Sequence, residues 1–495
     1  MNPILILIPV FLPLLGAILG LAIRRWPRLQ AWLALLSMCG SFLASLLILY
    51  RVWARGEPII FQPGNWPAPF GISLVGDLLA VFMVTMAQLV ITAGILYAMG
   101  SKDHSISYPA FYPLMLTLGA GLSGAFLAGD IFNLFVFSEL LVISGTVLTA
   151  ISDNKQGVEA AYKYFYISLL ASIFLLISIG SLYISYGTLN MADLAQRIAA
   201  NPQQPLLWVA IVFMLVFFMI KSAVVPFHFW QPDFHTTSPT PVSSLLSSVV
   251  VKLGVYGFLR MTTLLFVAQA SMIQTLLVIF GIGGILFGGL GAIGTHDAKR
   301  MLAYSTLAQI GFILVAIGWG TPLSLAAAII YAFNHSLIKS ALLMLAGFMA
   351  SRAEIKSAAF SSITGLGRAL PVAGVFFFIG GMALAGIPPT NGFISKLTLF
   401  QSGIQAREYI SLAILAAASL LTFIYIWRAF QRIWWQAPQG ESKVKPSGDK
   451  LIAPALLIVF SLGLGLWADP LIKVSLSIAQ WLGDPTSYIQ AVLGA

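Results

Sequence analysis

Charge is scarce in this chain. Asp, Glu, Lys and Arg together make 8% of its 495 residues, against roughly a quarter in a soluble domain. So little polar surface cannot cover a core of this size, which excludes a soluble globular protein, a disordered chain and a secreted disulfide scaffold. Cysteine is nearly missing: the lone Cys39 can close no internal disulfide and hold no iron–sulfur cluster. The five histidines are scattered without metal-ligand spacing, and no dinucleotide fingerprint is present. The largest hydrophilic connection, about 433–450, is too short for a domain. No cofactor, metal or redox enzyme is expected.

Apolar sequence is what the chain has in excess. Hydrophobic residues make 59% of it, with a mean hydropathy of +0.94. The apolar runs are continuous rather than alternating, which excludes a β-barrel. Runs of about 20 residues predict fourteen spans, at about 4–23, 30–50, 74–99, 109–128, 131–151, 163–186, 206–228, 240–262, 270–293, 302–319, 323–350, 370–400, 409–432 and 451–468. The first is followed by Arg24, Arg25 and Arg28 rather than a small-residue cleavage site, so it reads as a span and not a cleaved signal peptide. The loop at about 51–73 is rich in Pro, Trp and Gly and is expected at the interface, and the amphipathic stretch after Asp469 is expected on the outer surface.

The pI near 9.6 fits basic loops beside a membrane better than nucleic acid. With the N-terminus outside, the inward connections hold Arg24, Arg25, Arg28, Lys102, Lys155, Lys163, Lys299, Arg300, Arg352, Lys356, Arg368, Arg428, Arg432, Lys443, Lys445 and Lys450. The outward ones hold Arg51, Arg55, Arg197, Arg260, Arg407 and Lys473. The positive-inside rule then predicts a multi-pass protein of the cell membrane with both termini outside.

The four remaining basic residues fall inside spans: Lys221, Lys252, Lys339 and Lys396, joined by one acid, Glu139. Each costs about 2.5–3.5 kcal/mol on insertion scales unless it faces protein or water, and the default function of such residues is an ion or proton pathway. A lysine near a helix end can instead snorkel, and Lys396 lies toward one end of its span. Glu139 and Lys221 form a candidate pair whose closing would load a proton and whose opening would release one. The membrane potential supplies about 2.3 kcal/mol per charge per 100 mV, enough to drive such a step. Sodium prefers hard oxygen ligands, and only Glu139, with Asp130 near a boundary, offers any at depth. His335 and Lys339, four residues apart, share one helix face as a proton relay. His228 and His235 read as interfacial or capping residues, and His104 and His296 as loop residues without a pathway role.

Proline breaks two of the spans. Pro226, Pro232, Pro239 and Pro241 interrupt the seventh, and Pro388, Pro389 and Gly392 the twelfth. Irregular backbone at membrane depth is tolerated only inside protein or beside a wet cavity. Two breaks five spans apart point to inverted transporter repeats. The expected organisation is three N-terminal spans (1–108), a first five-helix repeat (109–262), a second (263–432), and an inward loop, last span and tail (433–495). Lys221 precedes Pro226 by five residues while Lys396 follows Pro389 by seven, so the two units do not match residue by residue.

Four segments carry a resemblance: PFHFWQPDFHTTSPTPVSSLLSSVVVKLGVYGFLR ending at Arg260, DAKRMLAYSTLAQIG at 297–311, NHSLIKSALLMLAG at 334–347 and GIPPTNGFISK at 386–396. They resemble the antiporter-like subunits shared by Mrp-type multisubunit sodium/proton antiporters, respiratory complex I and membrane-bound hydrogenases. GVEAAYKYFYISLLASIFLLISIGSLY and the following GTLNMADLA look most like the D-type branch of the Mrp proteins. The resemblance implies fourteen helices with the seventh and twelfth broken, a Glu139–Lys221 regulating pair, and Lys252 as central relay. His335 and Lys339 would carry the proton onward, and Lys396 would be the terminal lysine. It implies a transporter subunit that works with other membrane subunits and exchanges protons, with sodium handled by the complex. The alternative is a proton-pumping subunit of complex I or of a hydrogenase. One complex I relative has glutamate at the position of Lys396, which argues against that subunit, and the missing long C-terminal lateral-helix extension argues against the Mrp A-type subunit and its complex I counterpart. Asp297, Lys299 and Arg300 match a family loop motif, and equally suit inward topological charge.

Overall fold

A computed structural model describes residues 3–437 and 444–494; Lys443, counted above among the inward charges, lies outside them. The chain is a bundle of helices: α1 (Pro3–Ala22), α2 (Pro27–Arg55), α3 (Leu78–Gly100), α4 (Phe111–Leu127), α5 (Ile131–Ala150), α6 (Lys155–Tyr186), α7 (Leu207–Lys221), α8 (Trp230–Thr237), α9 (Thr240–Leu265), α10 (Val267–Gly294), α11 (Ala298–Trp319), α12 (Pro322–Arg352), α13 (Pro371–Ala385), α14 (Asn391–Gln405), α15 (Tyr409–Trp435), α16 (Ile452–Leu466), α17 (Asp469–Leu482) and α18 (Pro485–Leu493). Among the described residues ten helices are long and apolar enough to cross a membrane, and twelve spans result if two bent pairs count as one each. The shorter apolar helices α4 and α7 occupy the other two apolar runs read from the sequence. The protein is a multi-pass membrane protein.

Local chemistry sets the helix ends. Asp77 opens α3 by accepting from the Ala80 N–H at 2.9 Å, and Asp130 opens α5 by accepting from Phe132 and Asn133. Thr321 and Ser324 form a capping box on α12. Both breaks fall where proline density placed them. α7 stops at Lys221 and the chain restarts as α8; α13 stops at Ala385, and α14 begins at Asn391. At 15 residues, α7 is about 22 Å long, shorter than the ~30 Å hydrocarbon core. Gly392 lets the second break close, since a Cβ there would run into the Ala383 carbonyl oxygen.

The most apolar stretches of α9 and α12 are wholly buried, whereas α1, α2, α10 and α15 leave broad faces outside the chain's own packing. α12 is the central post: α10 and α11 pack as a pair beside it, and α14, α16 and α17 pack onto it directly. The α10–α11 approach uses small residues, with a Cβ on Gly288 reaching to 2.5 Å of the Ala308 nitrogen. The loop at 51–73 carries part of a small antiparallel hairpin, β1 (Ile59–Phe61) on β2 (Leu74–Gly76), an addition to an otherwise helical fold. The amphipathic stretch after Asp469 packs one face of α17 against α12 and α3.

Candidate functional site

Two π-helical stretches interrupt α9, and the first, Leu246–Val250, ends two residues before Lys252. Single π turns inside helices concentrate at functional sites. This one accompanies a deeply buried lysine–histidine contact. Lys252 Nζ lies 2.5 Å from His335 Nδ1, and both side chains are buried. One turn along α12, Lys339 Nζ donates to the Leu302 carbonyl at 3.1 Å and to Ser305 Oγ at 2.8 Å. Ser305 shares a 2.8 Å hydrogen bond with the Tyr425 hydroxyl. Helix α12 therefore brings His335 and Lys339 to α9 on one side and α11 on another, as their shared face requires.

Lys396 reaches back across the second break. Its Nζ donates to the Ala385 carbonyl at 2.8 Å and stands 5.3 Å from the centre of the Phe312 ring. Ala385 ends α13, where carbonyls lack intrahelical partners and the helix dipole favours a cation. Lys221 is itself the last residue of α7. Lys396 Nζ thus reaches the carbonyl end of the half-helix before its break, whereas Lys221 ends its half-helix by position with its Nζ beside the Phe217 ring.

Glu139 and Lys221 are not in contact. Glu139, half-buried on α5, accepts a hydrogen bond from Ser172 of α6. Lys221 Nζ is buried without a hydrogen-bond partner among the described residues, 5.4 Å from the Phe217 ring centre. Among the described residues none of the four intramembrane lysines has a salt-bridge partner.

A polar vestibule of about 780 Å³ opens beside α8, with Asp103, Lys163, Asp233, Asp297, Lys299 and Arg300 in its wall. Asp233 bridges Lys163 and Arg300, each at 3.2 Å, and Lys356 pairs with Asp103 at 3.0 Å. Burial pushes the Asp103 carboxyl up, but the Lys356 ammonium and the Ser105 donors outweigh it and hold the group below its ordinary range. At the opposite side of the site, burial pushes the Asp130 carboxyl up to about 6, against the N–H groups of Asn133 and Phe132.

Two residues sit elsewhere than the sequence suggests. His235 is fully buried, with neither ring nitrogen hydrogen-bonded among the described residues, and the charges that act on it are Lys339 and Lys299. The surrounding helices enclose α8, so it is no interfacial residue. His228 does keep a half-buried place, its ring 4.2 Å from that of Phe287. Arg260, expected as an outward loop charge, is buried and ion-paired to Asp77 at 2.7 Å, and stacks on Tyr256 and Tyr488 at 5.0 and 5.1 Å. Ser305, Gln309, Tyr331, Asn334, Asn391, Ser395 and Tyr425 belong to the site although the sequence did not single them out. Asn334 Nδ2 donates to Ser395 Oγ at 2.7 Å and to the Asn391 carbonyl at 3.0 Å, and Asn391 Nδ2 returns a bond to Asn334 Oδ1 at 3.0 Å. Polar residues recurring inside apolar spans were the available signal.

Residues 128–422 match the family described as NADH:quinone oxidoreductase/Mrp antiporter, TM. The chain is 33% identical over 491 residues to the D-type Na(+)/H(+) antiporter subunit of Alkalihalophilus pseudofirmus, covering 99% of each. It is 31% identical to the corresponding D-type subunit of Bacillus subtilis, again over 99% of each chain. A chain of the Mrp complex from Dietzia sp. DQ12-45-1b superposes with a TM-score of 0.92 at 27% identity, covering both chains fully. A chain of the membrane-bound sulfane sulfur reductase, an archaeal respiratory membrane complex, gives 0.91 at 26%, covering 99% of this chain and 100% of that one. The protein belongs to the NADH:quinone oxidoreductase/Mrp antiporter transmembrane family, as a D-type antiporter subunit.

Proposed function

We propose that this chain is the proton-moving D-type subunit of a multisubunit sodium/proton antiporter, a transporter and not an enzyme, in which protons travel through Glu139, Lys221, Lys252, His335, Lys339 and Lys396. The observation that carries the reading is the buried Lys252–His335 contact at 2.5 Å, with Lys339 one turn further and no carboxylate paired to either lysine among the described residues. Ammonium groups at depth with only neutral partners are costly to charge, so they suit sites that gain and lose protons. Each step breaks one N–H or O–H bond and forms another, and needs no further reactant.

Glu139 and Lys221 act as the gate. When Glu139 leaves Ser172 and approaches Lys221, the lysine holds its proton; when Glu139 returns to Ser172, the proton moves toward Lys252. Lys396, at the α13 end, is the far station. Sodium exchange belongs to the complex and its other membrane subunits. The vestibule side faces the cytoplasm, because most basic loop residues lie there, and both termini then face out. The segments 109–262 and 263–432 are the two repeats, each carrying one broken helix. A respiratory complex is the second reading, supported by the 0.91 superposition on the sulfane sulfur reductase chain; the full-length likeness to two D-type antiporter chains favours the antiporter.

The test is antiport by the assembled complex in vesicles, read as internal pH change on adding sodium. E139A and K221A should each abolish or severely reduce exchange while the complex still assembles. Near-normal exchange by both would remove the gating pair.

A further inference from the structure

Between the Lys252–His335 contact and Lys396 lies a cavity of about 10 Å³, room for about one water molecule. Gln309, Tyr331, Asn334, His335, Ser395 and Lys396 are in its wall. Two of these residues carry buried polar atoms that make no hydrogen bond among the described residues, His335 Nε2 and Gln309 Nε2. Buried donors and acceptors are ordinarily satisfied, by ordered water where protein offers nothing. The residues that carry both atoms line this space together with Lys396.

Gln309 is placed to hold a water there. The side chain is 1% exposed, and its Oε1 accepts from the Tyr331 hydroxyl at 2.5 Å. With the oxygen occupied, the amide nitrogen is the end left to donate. One turn earlier on α11, Ser305 joins Lys339 to the Tyr425 hydroxyl, so the Lys339 contacts and the Lys396 cavity lie along one face of α11. The Asn334–Asn391 clasp fixes α12 against the first turn of α14 beside it.

We propose that Gln309 is a positioning residue for proton transfer, its amide holding the water that joins His335 Nε2 to Lys396 Nζ. The inference rests on the proton line described under Proposed function. The water accepts a proton from the His335 imidazolium and gives one to the neutral Lys396 amine, so it is regenerated and no other reactant is consumed.

The test uses the assembled complex in vesicles, with exchange measured in H2O and in D2O. Q309L keeps a comparable volume on a side chain one atom shorter and removes the donor; it should slow exchange about tenfold, the effect of about one lost hydrogen bond at the barrier, and raise the H2O/D2O rate ratio. Q309N keeps an amide and leaves room for a second water, and should recover part of the rate. Equal loss in Q309L and Q309N with an unchanged isotope ratio would mean packing alone and would overturn the proposal. Should Q309L fail to assemble, Y331F frees the amide without changing residue 309; it should slow exchange severalfold, and wild-type behaviour would overturn the proposal. K396A separates the two levels: normal Q309L with inactive K396A rejects the role of Gln309 alone, whereas active K396A rejects the line itself.

Discussion

Replacing Lys252 by methionine separates transport from architecture. The lysine is fully buried, and among the described residues its hydrogen-bond partner is His335 Nδ1. Methionine fills nearly the same volume in the wall of α9, so no cavity opens. Removing the buried ammonium relieves its desolvation cost, set against about 1–3 kcal/mol for leaving the buried His335 Nδ1 without its partner. The K252M complex should therefore assemble and melt near the wild-type temperature. Transport should behave oppositely. Losing a positioned proton carrier removes about 10²–10⁴ in rate, so sodium-driven pH change in vesicles should fall at least about a hundredfold. Exchange within severalfold of wild type would refute the relay, and loss of assembly would reassign Lys252 to a structural role.

Two further outcomes follow from charges away from the lysine line. R260Q leaves the Asp77 carboxylate buried and unpaired beside the α3 end it caps, a loss of about 3–5 kcal/mol. It should lower the melting temperature of the complex, with partial recovery in the D77N/R260Q double variant; equal melting of wild type and R260Q would contradict the buried pair. Asp130 has its folded pKa raised to about 6, above the unfolded value of about 3.9. The native state thus binds its proton more tightly, and stability falls as pH rises from about 4 to 6. D130N retains a capping oxygen and should melt higher than wild type at pH 8, with the advantage gone below about pH 4. An advantage independent of pH would mean the carboxylate charge is not its cause.

Much of the site was legible because charge inside an apolar run is costly enough to be conspicuous. Lys221, Lys252, Lys339, Lys396 and Glu139 stand out on that ground alone, and proline density located both breaks. Position along the chain is a poorer guide to position in space. Lys396 follows its break by sequence yet returns its ammonium to Ala385, before the break, and no spacing rule contains that long reach. Gln309, Ser305 and Tyr425 carry no charge, and hydroxyl and amide groups inside membranes cost little when a neighbouring helix supplies a partner; three different helices supply theirs. Arg260 sits at the end of an apolar run, where topology counting assigns it to a loop, and its burial depends on Asp77, 183 residues away. His235 follows two prolines within ten residues, a pattern typical of irregular surface backbone. The packing of α8 against α6 and α11 encloses it instead.

The central claim concerns water as much as side chains. A structure of the whole assembly with ordered waters resolved tests it directly. The account predicts a continuous hydrogen-bonded file from Lys221 through Lys252 and His335 to Lys396, with Lys339 joined to it one turn along α12 and one water between His335 and Lys396. Dry apolar packing between those groups, with each ammonium turned separately toward an aqueous face, would contradict it.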